Sequence, residues 1–142
     1  MAIQSRSIVT VSRYATVLDA IHAMAGAKVG SVVVVDDDNL VEGIFSERDV
    51  MLRVVLEGRD PAQTQVDEVM TSPVVTISSQ TSTDDALQLM LHAHIRHLPI
   101  VDYRGHVREI VSMRSLLEEK IEDLTVELDS LGSYIAADGI GG

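Results

Sequence analysis

Residues 43–49 read Gly-Ile-Phe-Ser-Glu-Arg-Asp, and residues 109–115 follow the same pattern 66 positions later as Glu-Ile-Val-Ser-Met-Arg-Ser. Outward from these stretches, residues 9–52 align with residues 75–118 at the same offset and without a gap. The identical pairs include Val9/Val75, Thr10/Thr76, Ser12/Ser78, Asp19/Asp85, Ala20/Ala86, Met24/Met90, Asp36/Asp102, Ser46/Ser112 and Arg48/Arg114. A register kept over that length indicates an internal duplication, so two copies of one structural unit are expected.

Each copy predicts a helix near its start. Thr16 and Ser82 stand three residues before Asp19 and Asp85, a capping-box pattern in which a hydroxyl and a carboxylate satisfy first-turn N–H groups. Apolar residues then follow at helical spacing: Val17, Ala20, Ile21 and Met24 in the first copy, and Ala86, Leu87, Met90 and Leu91 in the second. We expect these faces to be packed.

Strands complete each unit. Residues 31–35 and 98–101 are nearly continuous apolar runs, as in strands covered on both faces. The other elements are polar turns at 36–39 and 102–105, return strands at 40–45 and 107–111, short first strands at 10–11 and 76–77, and last helices after Ser46 and Ser112.

The predicted fold class is α+β, with two tandem β-α-β-β-α repeats. One unit of this size has a marginal core, so the two should pack sheet to sheet with pseudo-two-fold symmetry. We place repeat 1 at residues 8–57, a connector at 58–73, repeat 2 at 74–118, and a C-terminal heptad helix with a frayed tail at 119–142.

Composition narrows the function classes. The formal charge of −11 and the 3% aromatic content disfavour nucleic-acid binding, because a phosphate backbone would be repelled. The chain has no cysteine, which removes disulfides, thiolate nucleophiles and cysteine-type zinc sites. Its apolar runs are too short to span a bilayer and no leader pattern is seen, so a soluble cytoplasmic protein is expected.

The stretch 43–49 admits two interpretations. Ser46 stands at a strand-to-helix corner, where a hydroxyl and backbone N–H groups can meet a phosphate, while Arg48 supplies charge. Asp49 could accept from two ribose hydroxyls, and Gly43 permits a close backbone approach. From spacing alone, the favoured interpretation is that the same residues serve as a helix cap, a favourable first-turn acid and a solvated arginine.

At this point the chain resembles the CBS domain family over about residues 8–118. The resemblance rests on the repeated unit together with three stretches in order: Gly43 to Asp49, Asp67-Glu68-Val69-Met70-Thr71, and Arg96-His97-Leu98-Pro99-Ile100-Val101-Asp102. It implies a regulatory module that binds AMP, ADP, ATP or NAD(H), with S-adenosylmethionine ranked behind them. No catalysis is implied.

The resemblance also implies two ligand sites. The main site is expected to comprise Ile44, Ser46, Glu47, Arg48, Asp49, Met70, Thr71, Val75, Ile95 and His97, with adenine in the cleft against the partner repeat. The second is expected to comprise Val9, Val29, Ser31, Ile110, Ser112 and Arg114. Because Glu109 replaces the glycine and Ser115 the aspartate of the pattern, the second site should be weak or vacant.

Other motifs give weaker evidence of function. His92, His94 and His97 could suggest a metal site, but a helix-to-strand transition is expected within the run, and we predict no metal. The run Asp36 to Asn39 lacks the later residues of a Ca²⁺ loop, which favours a hairpin turn. No hydrolase, zinc-protease or Walker motif is present, so an enzyme is not expected.

The C-terminal region shows a heptad seam. Apolar residues are spaced 4, 3, 4, 3, 4 at Leu117, Ile121, Leu124, Leu128, Leu131 and Ile135. This helix could pack back onto the module or pair with another subunit, and pairing in a homodimer is preferred; Gly132 could end or bend it. Two functions follow as hypotheses: a sensor that acts on a separate protein partner, or a dimeric scaffold with vestigial sites.

Overall fold

The first repeat forms a three-stranded sheet. The computed structural model describes the backbone of residues 8–137 and the side chains of residues 8–132. Strand β1 (Thr10–Ser12) pairs in parallel with β2 (Ser31–Val35), which pairs antiparallel with β3 (Val41–Ser46). The helices are α1 (Val17–Ala27) and α2 (Glu47–Asp49), and α2 continues as a π-helical segment over Val50–Val55.

The second repeat follows the same order with a shorter sheet. It contains α3 (Thr83–Ala93), β4 (His97–Val101), β5 (Val107–Ser112) and α4 (Met113–Ala137). The strand predicted at residues 76–77 is wrong in extent, because only an isolated parallel bridge between Ile77 and Ile100 forms there. Within the described part of the chain, the sheet of repeat 2 therefore consists of β4 and β5.

The first helix of each repeat begins at its predicted cap. Thr16 and Asp19 form a reciprocal capping box, whereas in repeat 2 Ser82 Oγ accepts from the Asp85 N–H at 3.1 Å. Both helices end at a residue in the left-handed region, Lys28 with φ 58° and His94 with φ 56°. This left-handed residue reverses the chain direction, so α1 leads directly into β2 and α3 leads directly into β4.

Two polar turns join the hairpins as predicted. Asp36 Oδ1 accepts from the N–H groups of Asp38 and Leu40, which confirms a hairpin turn at residues 36–39. The equivalent Asp102 accepts from the N–H groups of Arg104 and His106. Burial alone would raise the pKa of Asp102, but these backbone bonds and Arg108 outweigh it and lower that pKa.

Among the residues that the structure describes, three apolar clusters form the core. One lies within each repeat, and the equivalent residues Ala20 and Ala86, and Met24 and Met90, are buried as predicted. Each methionine contributes about 1.5–3 kcal/mol by leaving water. The prediction for Leu91 was wrong, because it is 59% exposed. The third cluster joins the two sheets through Val33, Val107 and Ile110, so the repeats pack face to face.

Helix α4 combines the last helix of repeat 2 with the predicted heptad helix. Its 25 residues rise about 37 Å and continue through Gly132. The five seam side chains that the structure describes are exposed and are not packed into the core of repeat 2: the exposed fractions are 45% for Leu117, 63% for Ile121, 45% for Leu124, 67% for Leu128 and 55% for Leu131. The side chain of Ile135 and residues 138–142 lie outside the described part. Among the described residues, no helix is long and apolar enough to cross a membrane.

Candidate ligand site

The site is centred on the corner between β3 and α2. Ser46 Oγ accepts from the Asp49 N–H at 3.3 Å, and Asp49 Oδ2 accepts from the Ser46 N–H at 3.0 Å. This reciprocal cap buries Asp49 to 8% exposure, while Glu47 and Arg48 remain exposed. The capping interpretation of these residues is therefore realised, and it places a buried carboxylate at the corner.

The end of the connector forms one wall of this corner. Ile44 and Thr71 exchange two backbone hydrogen bonds, with N–O distances of 3.1 and 2.9 Å, which add Thr71 to the edge of β3. A Cβ built on Gly43 would collide with Met70 Sδ and would lie 3.1 Å from the Thr71 carbonyl oxygen. The close approach that Gly43 permits is thus made by the connector.

The other oxygen of Asp49 faces Thr71 and Arg53. Thr71 Oγ1 donates to Asp49 Oδ1 at 3.4 Å, and Arg53 Nε lies 3.6 Å from the same oxygen. Arg53 Nη1 also donates to the carbonyl oxygens of Val69, at 3.3 Å, and Met70, at 2.9 Å. The sequence prediction missed Arg53, although its position four residues after Asp49 was a usable signal.

Repeat 2 builds the same corner without a carboxylate. Ser112 Oγ accepts from the Ser115 N–H at 3.1 Å, and Ser115 Oγ donates to the Ser112 carbonyl at 2.9 Å. Glu109 is exposed, and Arg114 pairs with Glu118 at 3.1 Å. Serine thus preserves the cap at the equivalent corner, but it replaces a charged acceptor with a neutral one.

The remaining predicted residues are distributed along both repeats. In β2 and β3, Ser31 lies opposite Ser46, and in β4 and β5, His97 lies opposite Ser112. Ser46 and His97 of the predicted main site are therefore paired with Ser31 and Ser112 of the predicted second site. Val75 is 39% exposed, and Ile110 belongs to the cluster between the sheets.

Backbone bonds position the residues just before β2 and β4. The Val29 N–H donates to Met24, and the Ile95 N–H donates to Met90, both at 3.0 Å. The carbonyl oxygen of Val9 accepts from the Val33 N–H at 3.0 Å. Val29 and Ile95, at equivalent positions before β2 and β4, are half-buried, and so is Val9, which precedes β1.

An open groove of about 470 Å³ lies beside the Ser46 corner. It is lined by Ile21, Met24, Ala25, Lys28, Val29, Gly30, Glu47 and Val50. Only Glu47 and Val29 of the predicted site residues line it, one from each set. The groove therefore flanks the predicted main site on the helical side of repeat 1.

The histidine run is divided between helix α3, the cap residue that follows it and strand β4. His92 lies on α3, where its Nδ1 is 2.8 Å from the Gln88 carbonyl oxygen, while His94 ends that helix and His97 begins β4. Among the described side chains, no group of three or more histidines and carboxylates is arranged to hold a metal ion.

Two equivalent repeats pack sheet to sheet and define a tandem-repeat α+β module. Each is an α-β-β-α unit with a capped serine corner between its last strand and last helix, and repeat 1 adds the parallel strand β1. The model of the CBS domain family matches residues 2–56 and again residues 66–122. The chain belongs to the CBS domain family and carries a tandem pair of these domains.

Known relatives extend this finding. The CBS domain-containing protein YhcV of Bacillus subtilis is 40% identical over 100 residues, which cover 70% of each protein. A Methanopyrus kandleri protein is 34% identical over 113 residues, and this match spans 80% of the present chain but 58% of that relative.

Solved structures share the fold. A putative signal-transduction protein with CBS domains from Burkholderia ambifaria has a TM-score of 0.77 and 37% identity, with 84% of this chain and 86% of that one covered. A CBS domain protein of Pyrobaculum aerophilum, complexed with AMP, has a TM-score of 0.73 and 25% identity, with 80% and 86% covered.

Proposed function

We propose that this chain is a cytoplasmic, non-catalytic sensor that binds an adenosine nucleotide and acts on a separate partner protein. The observation that carries the proposal is the buried carboxylate of Asp49 at a serine-capped corner. The AMP bound by the Pyrobaculum aerophilum relative supports an adenosyl ligand. AMP, ADP, ATP and NAD(H) are preferred over S-adenosylmethionine.

In the main site, each part of the nucleotide meets matching chemistry. Asp49 accepts from the ribose hydroxyls, because an ionised carboxylate is a strong paired acceptor. Ile44, Met70, Val75 and Ile95 provide apolar surface for adenine. The phosphate is met by residues with hydroxyl, cationic or imidazole groups: Ser46, Arg48 and His97.

The second site is proposed to be weak. Its corner offers Ser112 and Ser115 in place of a serine and a carboxylate, so the hydrogen bonds to a ribose are neutral and weaker. Arg114 adds charge there but already pairs with Glu118. Repeat 1 at 8–57 and repeat 2 at 74–118 therefore contribute unequally, with 58–73 as the connector.

We also propose that the sensor is a homodimer. Met51 and Val55 are 54% and 65% exposed, and their equivalents 66 residues later, Leu117 and Ile121, are 45% and 63% exposed. Both repeats thus leave the same apolar face of the last helix in water, and a symmetric second copy covers both.

A specific observation favours a second candidate, a dimeric scaffold with vestigial sites. Asp49 already accepts from Ser46 and Thr71, so the corner is satisfied by protein groups alone. On this reading the carboxylate is a structural cap, and the exposed helix faces are the functional surface.

The two candidates are separated by melting temperature in the presence of AMP, ADP, ATP, NAD⁺, NADH and S-adenosylmethionine. A ligand at 100 times its Kd stabilises the folded state by about 2.7 kcal/mol. The sensor predicts a rise in melting temperature with at least one nucleotide. A flat response to the whole panel at millimolar concentration supports the scaffold.

A further inference from the structure

Arg53 connects the carboxylate of Asp49 to the end of the connector. Its Nε lies 3.6 Å from Asp49 Oδ1, and its Nη1 donates to the Met70 carbonyl at 2.9 Å and to the Val69 carbonyl at 3.3 Å. We propose that Arg53 is a positioning residue that orients Asp49 for the ribose and transmits ligand occupancy to the connector. This inference rests on the proposed function.

The two oxygens of Asp49 are not equivalent. Oδ2 accepts from the N–H and the hydroxyl of Ser46, at 3.0 and 3.2 Å. The partners of Oδ1, the Thr71 hydroxyl at 3.4 Å and Arg53 Nε at 3.6 Å, lie beyond the ordinary hydrogen-bond range of about 2.7–3.2 Å. Since a carboxylate offers about four acceptor positions, Oδ1 is the oxygen with capacity for a ribose hydroxyl.

Arg53 fixes the direction of that oxygen. The guanidinium is planar, so the hold of two carbonyl oxygens on Nη1 restricts where Nε points. The carbonyl oxygens of Val69 and Met70 are anchored in turn, because Thr71, the next residue, pairs with Ile44 on β3. The chain of contacts runs from β3 through the connector to Arg53 and then to Asp49.

The same contacts provide a route for the signal. A ribose hydroxyl on Oδ1 competes with Thr71 and Arg53 Nε for one oxygen. Displacement of either changes how firmly the end of the connector is held against β3. The π-helical segment that carries Arg53 begins directly after Asp49, and such segments are frequent at functional sites.

Repeat 2 does not contain this link. The positions equivalent to Asp49 and Arg53 hold Ser115 and Glu119. A carboxylate followed by an arginine one helical turn later therefore occurs only at the repeat 1 corner, and the chain carries its own internal contrast.

The test is calorimetry with AMP and 2′-deoxy-AMP on the parent, R53M, R53K and R59M proteins. The parent should prefer AMP. R53M should weaken AMP by about three- to fivefold and 2′-deoxy-AMP by less than about twofold, so the ribose preference falls. R53K keeps the charge without the planar fork and should show a preference between those of the parent and R53M. Arg59 pairs with Glu57 at 3.2 Å and not with Asp49, so R59M should match the parent.

Each other outcome has a definite meaning. Equal loss of both nucleotides in R53M, or an unchanged preference in R53M and R53K, overturns the positioning role while the sensor function stands. If neither AMP nor any other ligand of the melting panel binds to the parent, the proposed function is refuted and the inference falls with it. If another adenosine nucleotide binds instead, that nucleotide and its 2′-deoxy form take the place of AMP in the test. If R53M does not fold, R53K decides by hydrogen exchange: AMP should alter exchange at the Met70 and Thr71 amides in the parent, and an equal response in R53K refutes transmission.

Discussion

Substituting Gly43 by alanine should destabilise the protein by overpacking the contact between β3 and the connector. The added Cβ collides with Met70 Sδ and lies 2.9 Å from Met70 Cγ and 3.1 Å from the Thr71 carbonyl oxygen. The methionine side chain can rotate away, but the carbonyl belongs to backbone that is bonded to Ile44. Overpacking of this kind costs about 1–3 kcal/mol.

Gly26 provides the matched control. It lies in α1 with nothing within 4 Å of a built Cβ, so G26A should stabilise the helix by about 0.5–1 kcal/mol. At about 4 °C per kcal/mol, thermal unfolding should place G43A roughly 4–12 °C below the parent and G26A about 2–4 °C above it. The essential result is that G43A lowers the melting temperature and G26A raises it.

The identity of the obstructing group can also be measured. In an M70A background the Sδ and Cγ contacts are gone, so the cost of G43A should fall, and the coupling energy measures the methionine contact. An unchanged cost would assign the obstruction to the Thr71 carbonyl. A G43A protein as stable as G26A would refute the packing argument itself.

Three further outcomes are expected. D49A should weaken AMP binding by roughly tenfold to a few hundredfold. S115A loses the equivalent cap in repeat 2 and should change the affinity for AMP by less than about threefold. If calorimetry finds the larger loss in S115A, the main site lies in repeat 2. Introducing L124E and L128E together should lower the molar mass in light scattering if α4 pairs in the dimer, and an unchanged dimer would assign the interface to the other helix faces. Replacing His92 by alanine and His94 by asparagine, which tolerates the left-handed φ of 56°, should leave folding and AMP binding nearly intact, and a chelator-sensitive parent would contradict this.

The elements of the fold were predictable because their signals are local. Caps, apolar spacing and polar turns located both hairpins, with β2 at its predicted bounds and β3, β4 and β5 shifted by one residue at one end or both. The exception at residues 76–77 is a strand whose pairing depends on a distant partner. The local sequence pattern cannot show how many residues around Ile77 pair with β4.

The cap at the candidate site was predictable from the sequence, but its connections to the rest of the chain were not. The spacing of Ser46 and Asp49 indicated both a cap and a ligand group, and the structure realises the cap. What spacing could not show is that Arg53 reaches the carbonyl oxygens of Val69 and Met70, since those contacts join positions 16 and 17 residues apart. The same holds for Met70 against Gly43, where a glycine that suggests ligand approach is needed by the protein itself.

The unequal sheets have a consequence for motion in the native state. Repeat 1 braces β2 with three parallel pairs to β1, whereas repeat 2 holds β4 on that side by the single bridge of Ile77 to Ile100. Opening free energies are lowest where few backbone bonds must break together. The outer edge of repeat 2 should therefore open more often, so its Val101 amide should lose protection from solvent exchange before the Val33 amide of repeat 1 does.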